Sequence, residues 1–377
     1  MRLQILIQRE ETTVKTNNTH VREPLFHVVK RDTIPVWKAM LFRVIAVAAG
    51  LLLCAILSVF LIGAEPIEFL ETLFNGSFSS ERRLWKFAKD SAVLLCIALA
   101  VTPAFRMRFW NIGAEGQVLI GALAAVAVAF YTGSSVPNWV LLILMFAAAL
   151  VVGAVWGGIP AVFKAKWGTN ETLFTLMMNY AASGIVAFFL VKWTPSGSSV
   201  LGELKFGHLP QIVHPYLLII LAVAVITVIV FIYQNFTKHG YELSVVGESE
   251  NTAHYIGINV KKVIIRTMLI SGAVCGIAGF LIVAGLDHSI TETTVGGRGF
   301  TAIMVSWLAK FNPLVMILTA AFVTFLDQGA SQISTAFNID SSFPDMVVGI
   351  VLFFIIGCEF FINYKLKFSG HGKKEVK

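Results

Sequence analysis

Three polar side chains stand where a long apolar run begins. In "RFWNIGAEGQVLIGALAAV", residues 108–126, Asn111, Glu115 and Gln117 lead into a stretch with almost no other polar group. A carboxylate accepts hydrogen bonds or a proton, and carboxamides both donate and accept. A second such place is "TTVGGRGFTAIMVSWLAK", where glycines flank Arg298 and Thr301 follows one turn later. Asn179 is a third, between Met178 and Tyr180 within another apolar run. Polar and ionisable groups in hydrocarbon are costly and therefore mark pathways by default. All six could line a route for a polar solute. Each also has a purely structural role open to it. Glu115 could cap a helix at the water interface. Arg298 could pair with Glu115 or snorkel to headgroups. Asn179 could make an interhelical hydrogen bond.

The elements that hold these residues follow from composition. The 377-residue chain is 56% hydrophobic and only 14% charged, with a mean hydropathy of +0.77. Soluble domains carry about 25% charged residues. Apolar stretches of about 17–25 residues recur with short polar breaks, each long enough to cross a bilayer as a helix. The chain therefore reads as an all-α polytopic membrane protein of about ten transmembrane helices, forming one membrane domain. The net charge of +7 does not point to nucleic acid, because the basic residues flank the spans in the positive-inside pattern. Cys54, Cys96, Cys275 and Cys358 all lie in apolar runs without metal-ligand or redox spacing, so they read as inert core thiols.

Residues 1–38 are too long and polar for a signal-peptide n-region and read as a cytosolic tail. The expected membrane domain covers 39–366, and a basic cytosolic tail covers 367–377. Spans are expected near 39–63, 88–105, 110–131, 139–163, 171–191, 215–236, 267–286, a short one ending at Lys310, 312–328 and 344–364. "AEPIEFLETLFNGSFSSE" and "TPSGSSVLGELKFGHLPQI" read as external loops, and Asp327 and Gln328 as interfacial. An even number of crossings places both termini inside.

The order span, polar break, span, span, loop, span runs from 88 to 191 and again from 267 to 364. Lys164 and Lys166 follow the third span of the first copy, whereas "GASQISTAFNIDSSF" in the second has no positive charge. The copies thus read as inverted repeats with broken helices, a pattern of transporters. In the first break, Asn111 is placed to cap the following helix, and Gly113 and Gly116 permit a turn and close approach. The longest internal loop, 237–266, contains "SENTAHYIG", a short helix with Ser249 as N-cap and Gly257 as its stop.

"NIGAEGQVLIGALAA" resembles the signature of permease subunits of ATP-binding-cassette importers for nucleosides and simple sugars. These belong with the ribose and branched-chain amino acid permeases. "VVGESENTAHYIGINVKKVIIRTMLISGAVCGIAGF" and "GGRGFTAIMVSWLAKFNPL" resemble that wider group's cytoplasmic loop and late Gly-Arg-Gly-Phe segment, and the likeness runs over about 88–364. Ser249 and Glu250 depart from the Asn and Pro common in relatives. The resemblance implies a second homologous permease, a cytosolic ATPase subunit or tandem ATPase, and an extracytoplasmic substrate-binding lipoprotein. It also implies that the loop docks on the ATPase through Gly247, Glu248, Asn251, Ala253, Tyr255 and Gly257. No cofactor or metal is expected.

The residues agree on one point independently. The chain has no G-x-x-x-x-G-K-[ST] phosphate loop, so ATP hydrolysis would belong to a partner. H-E-x-x-H and G-x-S-x-G are absent as well, which argues against a hydrolase. The alternative from the residues alone is an ion-coupled secondary transporter of small polar solutes with Glu115 as its titrating group. The orientation is testable. Cysteines at Ser134 and Ser198 should react with an impermeant label from outside, and those at Lys166 and Ser249 only after permeabilisation. Reversed labelling of Ser134 and Lys166 would remove the inverted repeat.

Overall fold

A computed structural model describes residues 26–31, 34–63, 65–194, 201–340 and 342–368. Most of both expected tails and part of the second external loop, 195–200, lie outside the described residues. Strand β1 (Phe26–Lys30) precedes α1 (Val36–Ile62), α2 (Pro66–Phe78), α3 (Glu81–Arg106), α4 (Ala114–Thr132), α5 (Asn138–Trp167) and α6 (Glu171–Trp193). Then come α7 (Leu217–Phe236), α8 (Lys238–Glu248), α9 (Glu250–Tyr255) and α10 (Val260–Ile282), which ends in a π-turn at Val283–Asp287. Helices α11 (Arg298–Leu308), α12 (Pro313–Ala336) and α13 (Phe343–Asn363) lead to β2 (Tyr364–Phe368).

The chain divides into two compact units, residues 53–350 and the two chain ends outside them. In the unit of the chain ends, β1 and β2 pair antiparallel, with Phe26 opposite Phe368 and Lys30 opposite Tyr364. Arg43 pairs with Glu359, and Ala46, Cys358 and Ile362 bury together. The start of α1 thus lies beside the end of α13. Among the described residues, 9 helices are long and apolar enough to cross. The expected short span ending at Lys310 is α11, whose 11 residues reach only about half the ~30 Å hydrocarbon core. The expected tenth span is therefore not among the helices long enough to cross.

Several other expectations need correction. The segment read as an acidic external loop forms α2, because Phe69, Leu73 and Ser77 recur at helical spacing and bury against α12. Helix α3 starts at Glu81, capped by Ser80, rather than near 88. The 237–266 loop is α8, α9 and the start of α10, which Asn259 caps. Helix α12 runs on to Ala336, so Asp327 and Gln328 lie inside a helix and not at its end.

Within the large unit, α3, α4 and α10 are the central helices. Their spans are 72%, 67% and 67% buried, against 28% for α5, α6 and α7. The repeat is visible as reciprocal packing. Helix α10 packs on α4 and α5, and α3 packs on α11 and α12, while α3 and α10 pack on each other. Between helices in lipid, close van der Waals contact is a main source of attraction. Gly153 and Gly157 of α5 meet Gly272 and Gly276 of α10 almost backbone to backbone, and Gly121 of α4 also meets Gly276. A Cβ on Gly276 would run into the Ala149 carbonyl. Gly276→Val should therefore destabilise the protein by about 1–3 kcal/mol or more. Thermal unfolding in detergent measures this, with Gly184→Ala, whose added Cβ meets nothing within 4 Å, as the silent control.

Candidate functional site

Two interruptions of helical backbone meet near the centre of the large unit. The first, between α3 and α4, follows Pro103 and includes Arg108 at φ 60°. The second lies between the π-turn and α11, where Gly296 and Gly297 adopt φ of 61° and 76°. Backbone groups freed in this way must find partners if water is absent.

At the first interruption, buried side chains supply them. Asn179 Nδ2 donates to the Ile112 carbonyl at 2.9 Å, and Asn179 Oδ1 accepts from Gly116 N–H at 2.9 Å. Thr175 Oγ1 accepts from Ile112 N–H at 3.2 Å. Asn111 Oδ1 accepts from Gly113 N–H and from Gln117 Nε2, both at 3.1 Å. Asn111 Nδ2 reaches Ser271 of α10 at 3.3 Å. The residue at the N-cap of α4 is Gly113 and not Asn111, whose side chain reaches forward to the cap amide from two residues upstream.

Glu115 leaves its own helix and caps the other one. Its Oε1 accepts from Gly297 N–H at 2.8 Å, and its Oε2 accepts from Gly299 N–H at 2.7 Å. These amides open the first turn of α11, where four N–H groups lack intrahelical partners and the dipole favours an anion. The approach requires a glycine, since a Cβ on Gly299 would lie 2.7 Å from Glu115 Oε2. The anticipated meeting of Glu115 with Arg298 thus runs through the backbone around Arg298. The Arg298 guanidinium turns towards Asp90, at 3.9 Å.

That guanidinium enters a cavity of about 250 Å³. Its polar walls are Asp90 from α3, Thr293 and Thr294 from the loop before α11, Arg298 and Thr301, Thr324 and Asp327 from α12, and Asp345 from α13. Gln328 Nε2 donates to Asp90 Oδ2 at 2.8 Å and fixes its orientation. Of the six residues singled out from sequence, Arg298 and Thr301 line this cavity. Asn111, Gln117 and Asn179 are buried at the first break, and Glu115 joins the two sites. Asp90, Thr324 and Asp345 were missed. Their signal in the sequence is faint, because Asp90 lies among other polar residues in the first half of α3, Asp345 lies in the first turn of α13, and Thr324 is a lone hydroxyl in an apolar run.

A second feature lies at the opposite end of α3. Gly247 of α8 packs on the Arg106 carbonyl so closely that a Cβ would collide with it. Ser249 Oγ accepts from Thr252 N–H at 3.2 Å and starts α9, and Gly257 at φ 83° ends it, as expected. Ala253 is fully buried against Ala104, Met107 and Leu243, while Glu248, Asn251 and Gly257 are exposed and Tyr255 is 94% exposed. Glu242 of α8 ties this platform to α10. Burial would raise its carboxyl, but hydrogen bonds from Arg266 and His239 outweigh that and hold it below the usual carboxylate range. Asp90 and Arg106 are 16 positions apart in one helix, so cavity and platform are separated by about 24 Å.

The sequence of the chain matches a known group. A family model described as the permease component of the branched-chain amino acid transport system covers residues 84–356. The chain belongs to this permease family. It is 30% identical to the glucose ABC transporter permease of Haloferax volcanii, over 89% of this chain and 92% of that protein. It is also 30% identical to a guanosine ABC transporter permease of Bacillus subtilis, over 88% and 97%. A different guanosine ABC transporter permease from the same bacterium is 26% identical over 68% and 83%. The permease is thus a multi-span membrane protein of the ABC transporter type, a family that is not itself catalytic.

The amide clamp makes a specific prediction. Glu115→Gln offers one carbonyl oxygen and turns an NH₂ donor on the second amide. It should cost about 1–3 kcal/mol and lower transport moderately. Glu115→Leu abandons both amides and should lower it severely. Adding Arg298→Met should not rescue Glu115→Leu, because the partner is backbone; uptake and expression of the three variants decide this.

Proposed function

We propose that this permease forms, with a second homologous permease, the membrane pathway of an ATP-driven importer of nucleosides or related simple sugars in the cytoplasmic membrane. The observation that carries the reading is the charged, hydroxyl-lined cavity at one end of α3 with the α8–α9 platform at the other. Aspartates and threonines match the hydroxyls of a neutral polar solute. The relatives that carry glucose and guanosine in their names support this class. Asp327 lies within a spanning helix and lines the cavity, where a carboxylate favours a water-filled path. Two guanosine permeases in one bacterium favour pairing with a second permease.

The platform carries the second half of the proposal. Ala253 anchors α9 to the spans, and Asn251 and Tyr255 point outward for a cytosolic ATPase subunit, or tandem ATPase, to grip. Motion passed to α9 reaches Arg106 through Gly247, and α3 carries it to Asp90. An extracytoplasmic lipoprotein would deliver the solute, and the membrane-proximal ends of the chain, paired as β1 and β2, would lie on the cytosolic side. Nothing favours the ion-coupled alternative, since both oxygens of Glu115 are already engaged by amides.

ATP-dependent uptake of radiolabelled guanosine and glucose by the reconstituted complex tests the whole reading. Uptake of neither solute would remove it. Tyr255→Ala should weaken association with the ATPase by about 2 kcal/mol, as for an exposed aromatic anchor, while leaving the permease folded. Unchanged ATPase binding and uptake in this variant would reject the docking role of α9.

A further inference from the structure

A second cavity, of about 610 Å³, opens beside the α8–α9 platform. Its charged walls are Lys238 and Glu242 from α8 and Lys262 and Arg266 from α10. Glu242 is engaged within this set, because Arg266 donates to its carboxylate at 3.0 Å and His239 lies 3.5 Å from it. Lys238 and Lys262 have no ion-pair partner among the described residues. With three cations against one carboxylate, the walls keep an excess of positive charge. Both lysines mark the ends of spans. Lys238 follows closely on Phe236, the last residue of α7, and Lys262 lies in the first turn of α10. The span that α10 opens is 28 residues long, about 42 Å, against a hydrocarbon core of ~30 Å. Its charged first turns, with Lys261, Lys262 and Arg266, therefore reach into the headgroup layer. Phe236 and Tyr241, 74% and 63% exposed, are aromatic residues suited to the same interface. The dipole of α10 adds a partial positive charge at this end.

We propose that this cavity holds the phosphate headgroup of an anionic lipid from the cytosolic leaflet, gripped between Lys238 and Lys262. The inference rests on the transport reading above for the cytosolic placement of the platform. A phosphodiester anion matches the excess positive charge at headgroup depth. Ile256 and Ile258 in the same wall suit the glycerol and the first methylenes of its chains. The ATPase contact proposed above uses the outward Asn251 and Tyr255, whereas the two lysines lie where α7 and α10 meet the membrane surface. A solute in transit is served by the cavity around Asp90, at the other end of α3. The headgroup ties the start of α8 to the start of α10 and braces the turn that carries α9. Coupling between the ATPase and the spans is then lipid-dependent.

The test uses the complete transporter in phosphatidylcholine vesicles with and without phosphatidylglycerol, and measures the phosphatidylglycerol that stays bound by native mass spectrometry. In the unaltered protein the anionic lipid should be retained and should raise ATP-driven uptake of guanosine or glucose severalfold. Lys238→Gln combined with Lys262→Gln should weaken retention about 25-fold, roughly fivefold per lysine. It should also abolish the stimulation while leaving uptake in phosphatidylcholine alone unchanged. Lys261→Gln, at an exposed neighbour outside the cavity, should still retain the lipid. An equal loss with Lys261→Gln would reduce the effect to diffuse surface charge and overturn the site, as would full retention in the double variant. Stimulation by inorganic phosphate in phosphatidylcholine vesicles would make the ligand a soluble anion and overturn the lipid source. Loss of the ATPase subunit from the double variant in phosphatidylcholine would make the lysines a subunit contact and overturn the proposal. Lipid retention that depends on both lysines, without uptake of either solute, would keep the lipid site and reject the transport reading.

Discussion

A carboxylate that caps a helix other than its own is the interaction on which the centre of this molecule depends. Breaking two helices in a membrane protein releases backbone amides with no water to receive them. Glu115 receives two of them from the start of α11. Asn179 and Thr175 satisfy the start of the helix that carries Glu115. The supports run in series, from α6 to α4 to α11. Because α11 is too short to hold a position across the membrane alone, its placement follows from that series. The cavity wall formed by Arg298 and Thr301 follows in turn.

Glycine contacts supply the rigid frame around this series. Helices α4, α5 and α10 approach through Gly121, Gly153, Gly157, Gly272 and Gly276, and close approach lets many weak dispersion contacts add up. The reciprocal packing of α3 on α11 and α12 lacks such a glycine seam. It is held instead by polar links, such as the hydrogen bond between Thr102 and Ser306 at 2.8 Å. Helix α12 makes its own backbone contact elsewhere, where Gly329 meets Gly76 of α2, so it is the faces around the cavity that are tied by side chains.

Helix α3 connects the two ends of the molecule. It presents Asp90 to the cavity and its last carbonyls to Gly247, and Thr102 touches α11 in between. A displacement at the α8–α9 platform has a continuous, close-packed route to the cavity. The same helix contains Pro103, which removes one hydrogen bond from its last turns and makes that end the more compliant one.

The sequence by itself determined the class of protein, the span order, the capped α9 and the family. Each of these rests on local information: apolar run length, charge between runs, and short motifs such as Ser249 with Gly257. It also marked Glu115, Asn179 and Arg298 as unusual, because a polar group in an apolar run stands out. Only the tertiary structure decided which groups they meet. Asn179 could be read as a pathway residue or as a brace, and its two side-chain bonds go to backbone at the break. Glu115 was open to a cap at its own helix start, but its partners are 182 and 184 positions away. Asp90 and Asp345 gave little sign of a site, since they meet Arg298 only when α3, α11 and α13 converge. The helical content of α2 and the pairing of β1 with β2 were likewise hidden, because both depend on surfaces contributed by the far end of the chain. Hydrogen bonds to backbone amides leave no pattern in residue types, and contacts over such separations have no local period, so the fold alone could assign them.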